Sequence, residues 1–465
     1  MPDREKQIAA ALFVITALAF PVIFRGASEQ APTERMSRFL VRSAILEMKL
    51  ESMLKSFEPP PDDTTANQDA TETAEPPDRL DLFSPETWLQ VTAEMAPEER
   101  KPVISQLAVA CLAMGLDEEA HKLIDAGKLT FELHDPFREL LETGSTRDYA
   151  RLADDLEASA LPEWLTALAL ERWGPGAAAT PPSDQRLEKA LAPWAARTSI
   201  LFGVLMVCFL AGLVLLALSP RILARFARPE SVLERSMFGV PPVYTYLLFA
   251  AWFTLPNAIS WLLLPSLKES LSSASVLLVG YLVSASVGIF LVTKRGMMRS
   301  PNLFVAVDLD LASATPRNLA LGFVGYLVAV PVVAFLTVFS TLLLGGGEDG
   351  LNPAIPILVD AGSGTDFWLL LFNVSVLAPL FEEFFFRGFL FQQFRRFYSL
   401  SNAILLSAAV FAAVHLSIES FLPLFGLGVL LAIVYHTTRS LWAAVITHAL
   451  WNLGTVLAVI VLFGS

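Results

Sequence analysis

The chain has 465 residues, of which 54% are hydrophobic and only 17% are charged. Soluble domains carry about 25% charged residues, so this composition excludes a protein that is soluble throughout its length. The formal net charge of -13 at pH 7 argues against a nucleic-acid partner, which would require a basic surface. The two cysteines, Cys111 and Cys208, are too few for a disulfide framework or a cysteine-based metal site.

The first apolar segment, residues 7–24, follows a short charged stretch at the N-terminus. It is long enough to cross a bilayer, for which about 20 residues are needed. A cleaved signal peptide is the alternative, but Arg25 occupies the place of the small residues that a cleavage site requires. The sequence therefore predicts an uncleaved N-terminal transmembrane anchor at residues 1–26.

An acidic segment follows this anchor. Residues 27–197 contain 32 Asp and Glu against 17 Lys and Arg, whereas the rest of the chain is close to neutral. Its apolar residues recur at helical spacing, which predicts a mainly helical soluble domain. Two stretches rich in Pro, Thr and acidic residues, near 58–80 and 173–184, are predicted to be disordered linkers.

The remainder, residues 198–465, is predicted to form an eight-helix membrane core. With the first anchor this gives an all-α fold of about nine transmembrane helices. Lys and Arg are concentrated after the second and fourth helices, which predicts a cytoplasmic N-terminus and an extracytoplasmic acidic domain in a bacterial plasma membrane. The predicted core spans are 198–220, 236–267, 270–293, 318–347, 367–390, 397–418, 420–438 and 440–465.

One of these spans carries three charges. Each ionised group at the centre of a membrane helix costs about 2.5–3.5 kcal/mol on insertion scales, so such groups require a reason. Glu383 and Arg387 are four residues apart and are predicted to form a structural ion pair. Glu382 points about 100° away and is left as a free carboxylate. The alternative is a charge cluster at the cytoplasmic helix end, close to Arg395 and Arg396.

Histidines mark two further spans. His415 ends the sequence FAAVH, whereas His448 and Asn452 are four residues apart on the final span and share a face. A single histidine within a membrane is more often a packing partner between helices than a catalyst. Three polar positions on three separate helices instead favour a common site. His436 lies at a helix end beside Arg439 and is interpreted as interfacial.

These residue types predict hydrolysis of an acyl bond. A carboxylate and a histidine can hold and deprotonate a water, and a histidine with an asparagine can donate hydrogen bonds to a developing oxyanion. Zinc ligated by Glu382, His415 and His448 is the alternative. No HExxH motif is present, so no cofactor is favoured.

The three motifs EExxxR, FxxxH and HxxxN occur in this order on successive apolar segments, within about residues 367–463. This pattern resembles the CPBP family of intramembrane proteases, which includes the CAAX prenyl endopeptidases and bacterial relatives linked to bacteriocin processing or self-immunity. The resemblance implies that Glu382 is the general base and that His415 orients the same water. It also implies that His448 and Asn452 stabilise the oxyanion.

The sequence thus predicts an intramembrane endopeptidase acting on a membrane-tethered protein or peptide in the lipid bilayer. The acidic domain, residues 27–197, is a candidate binding site for a further protein partner. The alternative is a catalytically silent scaffold or bacteriocin-immunity factor of the same fold. A proton-relaying transporter is a third class, which the absence of evident inverted repeats disfavours.

Overall fold

The computed structural model describes residues 6–13, 185–226, 241–268, 271–294, 313–344 and 364–463, with single positions at 104, 108, 111, 122 and 358. The chain divides into two compact units, residues 1–30 with 202–459 and residues 31–201 with 460–465. Both predicted linkers, most of the acidic segment and residues 14–24 of the first anchor lie outside the described residues. The domain boundaries therefore stay predictions.

The described residues form nine helices and no strand, which confirms the all-α fold class. Six of these helices are long and apolar enough to cross a membrane, which indicates an integral membrane protein. The helices are α1 (6–13), α2 (Gln185–Phe226), α3 (Pro242–Lys268), α4 (Ser273–Lys294), α5 (Pro316–Leu344), α6 (Thr365–Phe397), α7 (Leu400–Ala413), α8 (Phe421–Thr438) and α9 (Leu441–Phe463).

Helix α7 is shorter than the helix predicted from the apolar run 397–418. It has 14 residues and ends at Ala413, although the sequence stays apolar as far as Ile418. The physical reason is a change of backbone hand at Leu416, where φ is 58°. A left-handed residue cannot continue a right-handed helix. His415 consequently lies in a turn rather than on a helix.

Helix α6 contains two π-helical segments, Asn373–Leu377 and Phe384–Phe391, separated by six α-helical residues, Ala378–Glu383. Such segments are rare and occur frequently at functional sites. All eight residues of the second segment are buried. Phe385 stacks on Trp252 of α3 with 3.9 Å between ring centroids, and Phe386 meets Phe411 of α7 edge to face at 5.3 Å. This aromatic packing places α6 between α3 and α7.

Helix α2 approaches α5 at Gly212. A Cβ built at this position would overlap the carbonyl oxygen of Leu327 and would lie 2.6 Å from Cδ of Pro331. Pro331 has no N–H, so the Leu327 carbonyl four residues earlier lacks its usual helical donor. The missing side chain of Gly212 lets the two backbones approach closely, as small residues do between membrane helices.

Substitution of Gly212 by valine is therefore expected to separate α2 from α5. We expect a loss of roughly 1–3 kcal/mol, because inserted carbon atoms force backbone shifts in a packed contact. Thermal unfolding of the purified protein in detergent measures the effect. Gly203→Val is the matched control, since a Cβ on Gly203 of the same helix meets nothing within 4 Å. Equal melting temperatures for the two variants would contradict the prediction.

Candidate active site

Glu383 and Arg387 form a buried ion pair within α6. Arg387 Nη1 lies 2.7 Å from Glu383 Oε1, and both side chains are fully buried. The second guanidinium nitrogen, Nη2, donates to the carbonyl of Gly428 in α8 at 3.0 Å. The guanidinium carbon lies 4.6 Å from the centroid of the Phe411 ring in α7, within the range of a cation–π contact. Arg387 therefore joins three helices.

His448 of α9 contacts the same carboxylate oxygen. Its Nδ1 lies 2.9 Å from Glu383 Oε1, the oxygen that also accepts from Arg387. An ionised carboxylate accepts hydrogen bonds, so the proton of this ring is held on Nδ1 and its orientation is fixed. The spacing of Glu383 and Arg387 predicted their pairing, but no local pattern indicated that Glu383 also holds His448.

Glu382 lies in a different environment from its neighbour. Its side chain is 17% exposed, and its Oε2 lies 3.9 Å from Nε2 of His448. That separation is too long for a hydrogen bond, and no described residue bonds to Glu382 Oε2. The structure thus places one carboxylate in a salt bridge and leaves the other facing the free nitrogen of His448.

His415 is held by the last turn of the preceding helix, α7. Its Nδ1 lies 2.8 Å from the carbonyl oxygen of Phe411. A carbonyl can only accept, so Nδ1 carries the proton and Nε2 keeps its lone pair. His415 lies close enough to Glu382 and His448 to interact electrostatically with both. Each histidine of the site therefore has Nδ1 engaged and Nε2 available.

Asn452 contacts α6 from one turn further along α9. Its Nδ2 donates to the carbonyl of Val374 at 2.8 Å, within the first π-helical segment. An amide nitrogen carries two hydrogens, so a second donor remains on the same atom. His436, interpreted as interfacial, lies in the last turn of α8, where its ring meets Phe391 at 6.4 Å.

Tyr281 of α4 is a neighbour that the sequence did not indicate. Its phenol lies within electrostatic range of the Glu382 carboxylate. A tyrosine in an ordinary apolar run carries no spacing signal, so only the packing of α4 reveals this proximity.

The zinc alternative finds no support among the described residues, where no three His, Cys, Asp or Glu side chains are grouped as a metal ion would require. The nitrogen atoms that remain for a ligand are Nε2 of His415 and of His448, since both Nδ1 atoms are engaged.

The fold and the site define a class: a helical membrane protein with acidic, basic and imidazole groups buried between its helices. Residues 364–454 match the Rce1-like family of type II CAAX prenyl endopeptidases, which confirms the resemblance carried by the three motifs. The match begins next to α6 and ends within α9, so it includes every predicted site residue. This part of the chain is therefore similar to the CAAX-type intramembrane proteases at the level of the family. No curated protein and no solved structure matches the chain.

Proposed function

We propose that the protein is an intramembrane endopeptidase that hydrolyses a peptide bond of a membrane-tethered protein or peptide, with a water activated by Glu382. The observation that carries this proposal is the contrast between two adjacent carboxylates. Glu383 is fully buried and shared between Arg387 and His448, whereas Glu382 is partly exposed and faces His448 Nε2 at 3.9 Å. Two carboxylates in such different environments can take different chemical roles.

The first step is proton transfer from water to Glu382. A water within hydrogen-bond distance of the Glu382 carboxylate can also donate to Nε2 of His415, whose lone pair is free because Nδ1 bonds to Phe411. As Glu382 takes the proton, the oxygen attacks the carbonyl carbon of the substrate. The same carboxyl group then returns the proton to the leaving amine, and the carbon–nitrogen bond breaks.

The second requirement is stabilisation of the oxyanion. For His448 to donate to it from Nε2, the ring must carry a second proton, because the proton on Nδ1 already faces Glu383. The second amide hydrogen of Asn452 supplies another donor, while the first stays on Val374. Donors fixed by such contacts do not have to reorganise as the charge develops.

The proposed location is a bacterial plasma membrane with a cytoplasmic N-terminus, since Lys and Arg concentrate on alternate loops. Residues 27–197 are then extracytoplasmic and available to a protein partner or a substrate. No cofactor is included in the proposal, and dependence on zinc is left to the experiment.

The test is cleavage of quenched fluorescent peptides with a lipid anchor by the purified protein in liposomes. We expect cleavage in the presence of a chelator, and incorporation of ¹⁸O from labelled water into the new carboxyl group. A parallel preparation carrying Glu382→Ala controls for contaminating proteases. Activity that chelator removes and zinc restores would overturn the metal-free mechanism. Equal activity in the wild-type and Glu382→Ala preparations would overturn the assignment as a protease. Absence of cleavage of any anchored peptide would favour the catalytically silent scaffold.

A further inference from the structure

We propose that Leu416 is a positioning residue, which fixes the tautomer of His415 by ending α7 in a left-handed turn. The inference rests on the proposed function, because His415 matters there as the ring that orients the attacking water. It assigns a role to a residue outside the three motifs.

The backbone after α7 departs from helical hydrogen bonding at His415. In a continuing α-helix its N–H would donate to Phe411, four residues earlier. It donates instead to the carbonyl of Ala412 at 3.3 Å, and the N–H of Leu416 donates to Ala413 at 3.1 Å. The last turn is therefore tightened to a three-residue spacing.

This change releases the carbonyl of Phe411, and the ring of His415 occupies it. The distance from Nδ1 to this oxygen is 2.8 Å. The backbone amide and the imidazole of the same residue thus compete for one acceptor. Because the tightened turn takes the amide away, the ring becomes the donor and its Nε2 is left unprotonated.

Leu416 follows the tightened turn and takes the backbone out of the right-handed conformation. Its φ of 58° lies in a region that L-residues other than Asn, Asp and Gly seldom adopt. Helices that end in this way usually have glycine at the left-handed position. Strain of this kind persists where the surrounding structure holds it, and it clusters at active sites. Among the described residues other than glycine, only Arg439 shares a positive φ, at the end of α8.

Three substitutions separate backbone conformation from side-chain packing. Asparagine tolerates the left-handed region, alanine removes the side chain but keeps the backbone preference of leucine, and valine resists the left-handed region because of its branched Cβ. We expect Leu416→Asn and Leu416→Ala to keep kcat within roughly threefold of wild type, and Leu416→Val to lower it roughly 10- to 100-fold at nearly constant KM.

Two controls accompany the valine variant. Leu405→Val makes the same change on an exposed face of α7, where the side chain is 46% exposed. Arg439→Val places valine at the other left-handed helix end, outside the site. Both are expected to retain kcat. A loss in either control equal to that of Leu416→Val would contradict a specific effect on His415.

The decisive readout is the tautomer of His415, measured by ¹⁵N NMR of labelled protein in lipid. We expect the Nδ1–H form in wild type and in the asparagine and alanine variants, and its loss in the valine variant. An unchanged tautomer in the valine variant would overturn the inference. Loss of the Nδ1–H form from the asparagine or the alanine variant would also overturn the inference. The test therefore stays decisive even if the valine variant does not fold. The spectrum does not require turnover, so it distinguishes failure of this inference from failure of the proposed protease.

Discussion

The Glu382→Gln variant is expected to lose about 10²- to 10⁴-fold in kcat, which is the range that general-base catalysis contributes. Glutamine has nearly the same shape as glutamate but cannot take a proton from water. Because Glu382 Oε2 has no hydrogen-bond partner among the described residues, the substitution breaks no bond that supports the fold. KM and the melting temperature should therefore stay close to those of wild type.

Kinetics of anchored-peptide cleavage measure this loss, and a thermal melt of the same sample checks the fold. Glu419→Gln is the matched control, because it neutralises a carboxylate in the turn before α8, outside the proposed chemistry. A Glu382→Gln variant that turns over like wild type would show that another group activates the water. Loss of activity together with loss of the fold would mean that Glu382 is structural.

The largest effect on stability is expected from Arg387→Met. Removing one partner of a buried ion pair leaves the other charge uncompensated, at a cost of about 3–5 kcal/mol. Here Glu383 would remain fully buried without its cation, and the carbonyl of Gly428 would lose its donor. A reversible denaturation curve in detergent measures the difference. A variant as stable as wild type would mean that the pair contributes nothing to the fold.

A double variant separates the two roles of Glu383. Replacing both partners of a buried ion pair by apolar residues of similar volume is often neutral or stabilising. Glu383→Leu combined with Arg387→Met should therefore recover much of the stability that the single change loses. Activity should stay low, because Nδ1 of His448 no longer has a carboxylate to orient it. Recovery of both stability and turnover would show that this orientation is dispensable.

Spacing along a helix was enough to predict one contact, the Glu383–Arg387 ion pair. Glu383 and Arg387 are four residues apart, and a continuous helix can bring such residues together whatever surrounds it. The presence of polar residues on three separate apolar segments predicted a common site, because isolated polar groups within a membrane require partners. These arguments use only local geometry and the low polarity of lipid.

Contacts that depend on packing were not predictable in the same way. The shared oxygen of Glu383 follows from how α9 crosses α6, and Tyr281 approaches Glu382 only because α4 packs beside it. The end of α7 was predicted too late in the sequence, because a left-handed turn is usually indicated by glycine and here the residue is Leu416.

The short α7 also has a consequence for the surrounding lipid. Its 14 residues, at 1.5 Å each, extend about 21 Å, whereas the hydrocarbon core of a bilayer is about 30 Å thick. The turn that follows, residues 414–420, is partly exposed throughout and includes non-helical backbone. Such backbone is tolerated at this depth only where protein or water surrounds it. If Glu382 acts as proposed, the bilayer thickness beside α7 and this turn would help to determine how far water must travel to reach its carboxylate, and turnover would then depend on lipid composition.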